Sequence, residues 1–83
     1  MAVKMLRLPG LKDRSGDGRS SIYRKIKSGL LTPPVKLSER MSAWPEDEID
    51  QILRARIAGQ TDAQVRELVK RLIQRRAEQI VTA

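Results

Sequence analysis

The spacing of apolar positions changes from segment to segment along the 83-residue chain, and residues 19–28 form one well-marked segment. There Ile22 and Ile26 lie about 40° apart on a helical wheel. The opposite side of the same wheel is polar and cationic and holds Ser20, Arg24 and Lys27. This pattern predicts a helix that is anchored by one face and ended by Gly29.

The residues before this helix predict shorter elements. Residues 4–8 fit either a short edge strand or an extended lead-in. A first helix is expected over residues 9–14. A turn should follow at residues 15–18, because two glycines there flank an aspartate.

A small β-hairpin is predicted over residues 35–44. Pro33 and Pro34 exclude helix and favour an extended chain. Val35 and Leu37 then alternate with a lysine, and an apolar return strand ending at Trp44 follows the turn at residues 38–40.

Two helices complete the predicted fold. Pro45 suits the first position of the third helix. Glu46, Asp47 and Glu48 follow, and their negative charges interact favourably with the positive N-terminal end of the helix dipole. Gly59 suits the position after the last helical residue. Thr61 and Gln64 form a capping-box pattern that starts the fourth helix. Its apolar arc of about 140° consists of Val65, Leu68, Val69, Leu72, Ile73 and Ile80, and Arg76 interrupts it.

This last arc leaves three alternatives open: packing on the chain's own domain, pairing with a second copy, or lying on a membrane surface. Pairing with a second copy is the working hypothesis. The predicted domains are therefore residues 1–59 and a self-association helix at residues 60–83.

Composition narrows the possible functions. The chain has no cysteine and no histidine, so the usual metal ligands and the commonest general base are missing, and neither a cofactor nor a metal is expected. No apolar run is long enough for a membrane span or signal peptide, which predicts a soluble cytoplasmic protein without a membrane partner. The net charge is +7, and residues 1–29 hold eight cationic side chains against two acidic ones. Such a charge favours a polyanionic partner.

The order of these elements is that of a winged helix-turn-helix, a mostly α fold with a small β-hairpin. The segments RSSIYRKIKSG, PPVKL and EIDQIL, together with Trp44, resemble the AlpA family of phage and prophage regulators, relatives of excisionases and of MerR-type winged domains. The resemblance covers about residues 6–58. Asp17 and Gly18 depart from the family pattern, which has an apolar residue and then a serine there.

The resemblance implies binding of double-stranded DNA upstream of target genes, at the bacterial nucleoid, in some cases with an integrase or another phage protein as partner. Helix 19–28 would enter the major groove, and the wing at 35–44 would contact the backbone or the minor groove. The implied DNA-binding residues are Arg19, Ser20, Ser21, Tyr23, Arg24, Lys27, Lys36 and Arg40. Trp44 is expected to cover the core beneath the wing.

The leading hypothesis is thus a sequence-specific transcriptional regulator without enzymatic activity. One alternative is an excisionase that bends DNA. Another is an antirepressor or protein-interaction module that uses the amphipathic last helix. A carboxylate-metal nuclease is disfavoured, since its candidate acids, Glu46, Asp47, Glu48 and Asp50, crowd one helix start.

Overall fold

The computed structural model describes residues 4–81, with side chains described for residues 4–78. It consists of four helices and three short strands. In chain order these are β1 (Met5–Leu6), α1 (Leu8–Ser15), α2 (Arg19–Lys27), β2 (Val35–Ser38), β3 (Met41–Pro45), α3 (Glu46–Ile57) and α4 (Asp62–Val81). The predicted class, mostly α with a β-hairpin in winged helix-turn-helix order, is confirmed.

Glycines in the left-handed backbone region end α2 and α3, as predicted. Gly29 has φ 80° and Gly59 has φ 81°. After α2, the Gly29 N–H donates to the Ile26 carbonyl at 3.2 Å and the Leu30 N–H donates to the Lys25 carbonyl at 2.8 Å. These two hydrogen bonds satisfy carbonyls in the last turn of the helix, and the chain turns sharply there toward the hairpin.

The strands form one antiparallel sheet in the order β1-β3-β2. Residues 35–45 make the predicted hairpin, which we call the wing. A register shift between Lys36 and Ser38 interrupts its ladder. The segment at residues 4–8 does include a strand, Met5–Leu6, which pairs with the β3 end of the wing.

A single core joins the helices to the sheet. Its buried members are Leu6, Leu11, Ile22, Leu31, Trp44, Ile49, Ile52, Ala55, Val65, Val69 and Leu72. Trp44 is 1% exposed, and its indole N–H donates to the Thr32 carbonyl at 2.9 Å. The expectation that this tryptophan covers the core beneath the wing is confirmed.

Helix α4 packs on this core. The capping box is confirmed, because the Thr61 N–H donates to Gln64 Oε1 at 2.9 Å and the Gln64 N–H donates to Thr61 Oγ1 at 3.3 Å. Val65, Val69 and Leu72 are buried in the chain's own core, with Leu68 half-buried against it. Among the described helices, none is long and apolar enough to cross a membrane.

This packing corrects the residues chosen for self-association. Val65, Val69 and Leu72 fill space beneath α3 and therefore offer no surface to a second copy. Ile73 is 40% exposed, while Ile80 lies outside the residues whose side chains are described. Self-association itself stays a prediction.

Two element boundaries also differ from expectation. Pro45 ends β3 and precedes the first helical residue of α3, because its backbone remains extended at ψ 127°. Ser15 belongs to α1, and the turn before α2 is confined to residues 16–18.

Candidate nucleic-acid interface

Helix α2 is fixed to the protein by one face only. Ile22 is buried and Ile26 packs against the core from a half-buried position. Gly18 takes the N-cap position without a side-chain cap, and the Asp17 carboxylate pairs with Lys25 in the last turn of the helix. The face opposite the isoleucines is therefore left to solvent.

Most of the predicted DNA-binding side chains are exposed. Ser21 is half-buried, and the exposed ones are Arg19, Ser20, Tyr23, Arg24, Lys27, Lys36 and Arg40. Six of the eight predicted positions lie on α2 itself, and Lys36 and Arg40 lie on the wing. Both elements keep their polar side chains available to a ligand.

The charges separate into paired and unpaired groups. Several cations elsewhere pair with carboxylates, as Arg14 does with Glu46 and Asp50 at 2.7 Å, whereas others outside the predicted interface have no such partner among the described residues, namely Arg7, Lys12, Arg54, Arg66 and Arg71. Within residues 4–78, no carboxylate lies within 4.0 Å of the predicted interface cations, which are Arg19, Arg24, Lys27, Lys36 and Arg40. Unneutralised cations concentrated on α2 and the wing suit a phosphate backbone.

The start of α2 carries a cation–π pair. The guanidinium carbon of Arg19 lies 5.8 Å from the centroid of the Tyr23 ring, and this ring is 45% exposed. Stacking on the ring restricts the arginine side chain while leaving its donors accessible. This is a suitable arrangement for contacting a base edge or a phosphate.

The wing presents apolar side chains as well as charges. Leu37 is 48% exposed and Met41 is 38% exposed. They stand on either side of the turn at Glu39 and Arg40. The wing tip therefore offers a small apolar surface next to a cation.

The acids at the start of α3 serve structural pairing. The hydrogen bond from Arg14 lowers the pKa of Glu46, supported by the charge of Lys4 and opposed by partial desolvation. Asp47 accepts from Gln51 at 2.8 Å, and Glu48 pairs with Arg76 at 2.6 Å. Across residues 4–78, no group of acidic side chains is placed to hold a metal ion.

Comparison with known proteins identifies the family of the chain. Residues 4–57 match the family described as prophage CP4-57 regulatory protein (AlpA). The chain belongs to the AlpA family. It is also 36% identical over 56 residues to "Uncharacterized protein ORF88" of Enterobacteria phage P4, an alignment that spans 68% of this chain and 64% of that protein. No solved structure shows significant similarity to the chain.

The AlpA match begins at β1 and ends with α3, so it includes α2 and the whole wing. Helix α4 lies beyond it. The elements that hold the predicted interface cations therefore lie within the matched segment.

Sequence reasoning missed two residues of α4 that contact the AlpA segment. Arg66 Nε donates to the Ser28 carbonyl at 3.0 Å, at the end of α2. Arg76 binds Glu48 and donates to the Pro33 carbonyl at 2.8 Å, just before the wing. The position of Arg76 inside the apolar arc was the available indication, because a cation on a buried face requires a partner.

Proposed function

We propose that this AlpA-family protein is a sequence-specific transcriptional regulator that binds double-stranded DNA. Helix α2 enters the major groove, and the wing contacts the backbone or the minor groove. Family membership supports a regulatory role. The observation that supports DNA binding is the solvent-facing side of α2, where Arg19, Arg24 and Lys27 have no carboxylate partner among the described residues.

The dimensions and chemistry of α2 support this docking. An α-helix with its side chains is about 10–12 Å across, and the major groove of B-DNA is about 12 Å wide. Arg24 is exposed at the middle of the outward face, and arginine is the commonest reader of guanine. Arg19, Ser20 and Ser21 lie in the first turn, where side chains reach base edges in related folds.

The remaining cations would position the protein without specifying sequence. Lys27 lies in the last turn of α2, Lys36 on β2 and Arg40 at the wing turn. Contacts from such residues to phosphates or to a narrow minor groove set the register of the complex.

The test is binding to the region upstream of the protein's own gene, by gel shift and footprinting. With about six phosphate contacts, the logarithm of the affinity falls with the logarithm of salt concentration at a slope near −5. A protected site that survives excess competitor DNA supports sequence-specific regulation. A slope near zero contradicts it, and so does binding to an acidic protein partner that excess DNA does not displace.

A second candidate is an excisionase that bends DNA, and the exposed apolar side chains of Leu37 and Met41 favour it. Apolar side chains inserted between base steps in the minor groove kink the duplex. Gel shifts with the site placed at different positions along a fragment measure the bend. Mobility independent of position contradicts this role and leaves simple regulation.

The antirepressor alternative loses its motivating feature, because the apolar face of α4 is occupied by the chain's own core. Regulation at the nucleoid places the protein in the bacterial cytoplasm, with an integrase or another phage protein as a possible second partner.

A single domain specifies a short half-site, so binding as a homo-oligomer is part of the proposal. Solution mass with and without DNA tests it, and a strictly monomeric complex contradicts it.

A further inference from the structure

The segment between α2 and the wing, residues 28–34, is held by side chains from other elements. We call it the connection. Three of its carbonyls accept side-chain hydrogen bonds, at Ser28 from Arg66, at Thr32 from Trp44 and at Pro33 from Arg76. Two of these donors, Arg66 and Arg76, belong to α4.

Such side-chain contacts matter here because, among the described residues, residues 31–34 make no backbone–backbone hydrogen bond. Residues 30–34 belong to no helix or strand. Pro33 and Pro34 have no N–H to donate. Together with the burial of Leu31 and Thr32, the groups that hold these carbonyls therefore set the direction in which the wing leaves α2.

Arg76 provides the strongest of the contacts. Its guanidinium makes two bonds to the Glu48 carboxylate, at 2.9 Å and 2.6 Å, and the same group donates to the Pro33 carbonyl at 2.8 Å. The Glu48 side chain is 6% exposed and that of Arg76 is 21% exposed. A planar guanidinium that donates to both oxygens of a carboxylate is held in one orientation, so the direction of its hydrogen bond to Pro33 is fixed as well.

We propose that α4 positions the wing relative to α2, with Arg76 as the main positioning residue and Arg66 as the second. Helix α4 lies outside the AlpA match, so in this chain an element beyond the matched segment sets the angle between the two proposed DNA-contacting parts. The proposal rests on the proposed function.

The physical consequence is a coupling between Arg76 and the wing. When the connection is held, the wing cation Lys36 reaches its phosphate in the same arrangement that places α2 in the groove. When it is released, β2 is held mainly through its pairing with β3, so Lys36 is less firmly placed and its contact contributes less to the affinity, because ordering it costs conformational entropy. The contacts made by α2 itself are unchanged.

The experiment compares Arg76→Lys with Arg75→Lys, each with and without Lys36→Ala. Arg75 is the adjacent residue, is exposed, and lies 4.0 Å from Asp47, so its replacement makes the same chemical change without touching the connection. Lysine at position 76 keeps the charge beside Glu48 but lacks the fork that also reaches Pro33.

In the Arg75→Lys background, Lys36→Ala should reduce the salt slope by about 1. In the Arg76→Lys background we expect about half that reduction or less, and an affinity loss about threefold smaller. Arg24→Ala should cost the same in both backgrounds. Equal effects of Lys36→Ala in the two backgrounds overturn the proposal.

A second pair keeps the test decisive if Arg76→Lys unfolds the protein, which circular dichroism would detect. Arg66→Met removes the contact to Ser28, and Arg71→Met removes an equal charge from another exposed position of α4. The Lys36→Ala effect should shrink with Arg66→Met and not with Arg71→Met; an equal effect in both overturns the proposal. Absence of DNA binding by the unmodified protein contradicts the proposed function instead.

Discussion

Thr32 has a carbonyl that accepts a hydrogen bond and, among the described residues, a side-chain hydroxyl that makes none. The residue is fully buried, and its carbonyl accepts the bond from Trp44. Among the described residues, its Oγ1 is the buried side-chain oxygen without a hydrogen bond. Burial of an unsatisfied hydroxyl lowers stability, because the bond to water is lost and none replaces it.

Thr32→Val should therefore raise the free energy of unfolding by about 1 kcal/mol, since valine has nearly the same shape and leaves the backbone carbonyl in place. Urea denaturation at constant m-value measures the change. Thr61→Val is the matched control and should lower stability by about 1 kcal/mol, because that hydroxyl caps α4. Destabilisation by Thr32→Val would show that its hydroxyl is satisfied.

Glu46 makes stability depend on acid pH. Its pKa is lowered in the folded protein, chiefly by the hydrogen bond from Arg14. The stabilisation from this ionised carboxylate is complete above its ordinary value of 4.5 and is lost as the pH falls through the lowered folded value. Glu46→Gln should flatten this part of the profile.

Melting temperatures between neutral pH and acid measure this effect. Glu39→Gln is the control, because it makes the same change at an exposed wing residue with no cation within 4.0 Å among the described residues. An identical pH profile for Glu46→Gln and the unmodified protein would contradict the assignment.

At the scale of elements, α2 and the wing differ in the kind of contact each can make. The outward face of α2 mixes Arg24 with serines, whereas the wing offers single cations at Lys36 and Arg40. Base edges are read by arginine and polar side chains inside the groove, and isolated cations at the flank contact phosphates. The two elements should therefore differ in mutational effect.

Arg24→Ala should cost about 1–3 kcal/mol on the preferred site and relax the base preference at one position, whereas Lys36→Ala should weaken all sequences alike. Binding to a library of single-base variants of the footprinted site distinguishes the two effects. The reverse result would assign base reading to the wing and backbone contact to α2.

The sequence predicted the elements well where local chemistry determines them. The glycine stops, the capping box of α4 and the alternation in the wing each depend on a few neighbouring residues. The position of α4 was not predictable in the same way, because an apolar arc has the same pattern whether it covers its own core or a second chain. Arg76 and Glu48 are 28 residues apart, and only the folded chain brings them together.

At the scale of the whole molecule, α4 completes the core of the AlpA segment. Val65, Val69 and Leu72 pack beside α3 and belong to the same buried cluster as residues of α1 and α2. A chain of this size has a small core, so each buried side chain makes up a large share of the total stability. We therefore expect the DNA-binding segment to depend on α4 for its stability.

Leu72→Ala should lower the free energy of unfolding by about 2–5 kcal/mol. Its neighbour Ile73 is 40% exposed, so Ile73→Ala is the control and should cost less than about 1 kcal/mol. Denaturant titration followed by Trp44 fluorescence measures both. Equal, small effects would mean that α4 contributes little to the core.

The wing also forms one edge of the sheet, since β2 is one of the two outer strands. An outer strand exposes unpaired backbone groups to which a strand from another molecule can add, the first step of aggregation. Lys36 and the adjacent register shift both oppose such addition, the lysine by repulsion and the shift by spoiling the hydrogen-bond register. A side chain proposed to attract DNA thus also keeps copies of this protein from joining edge to edge when no DNA is present.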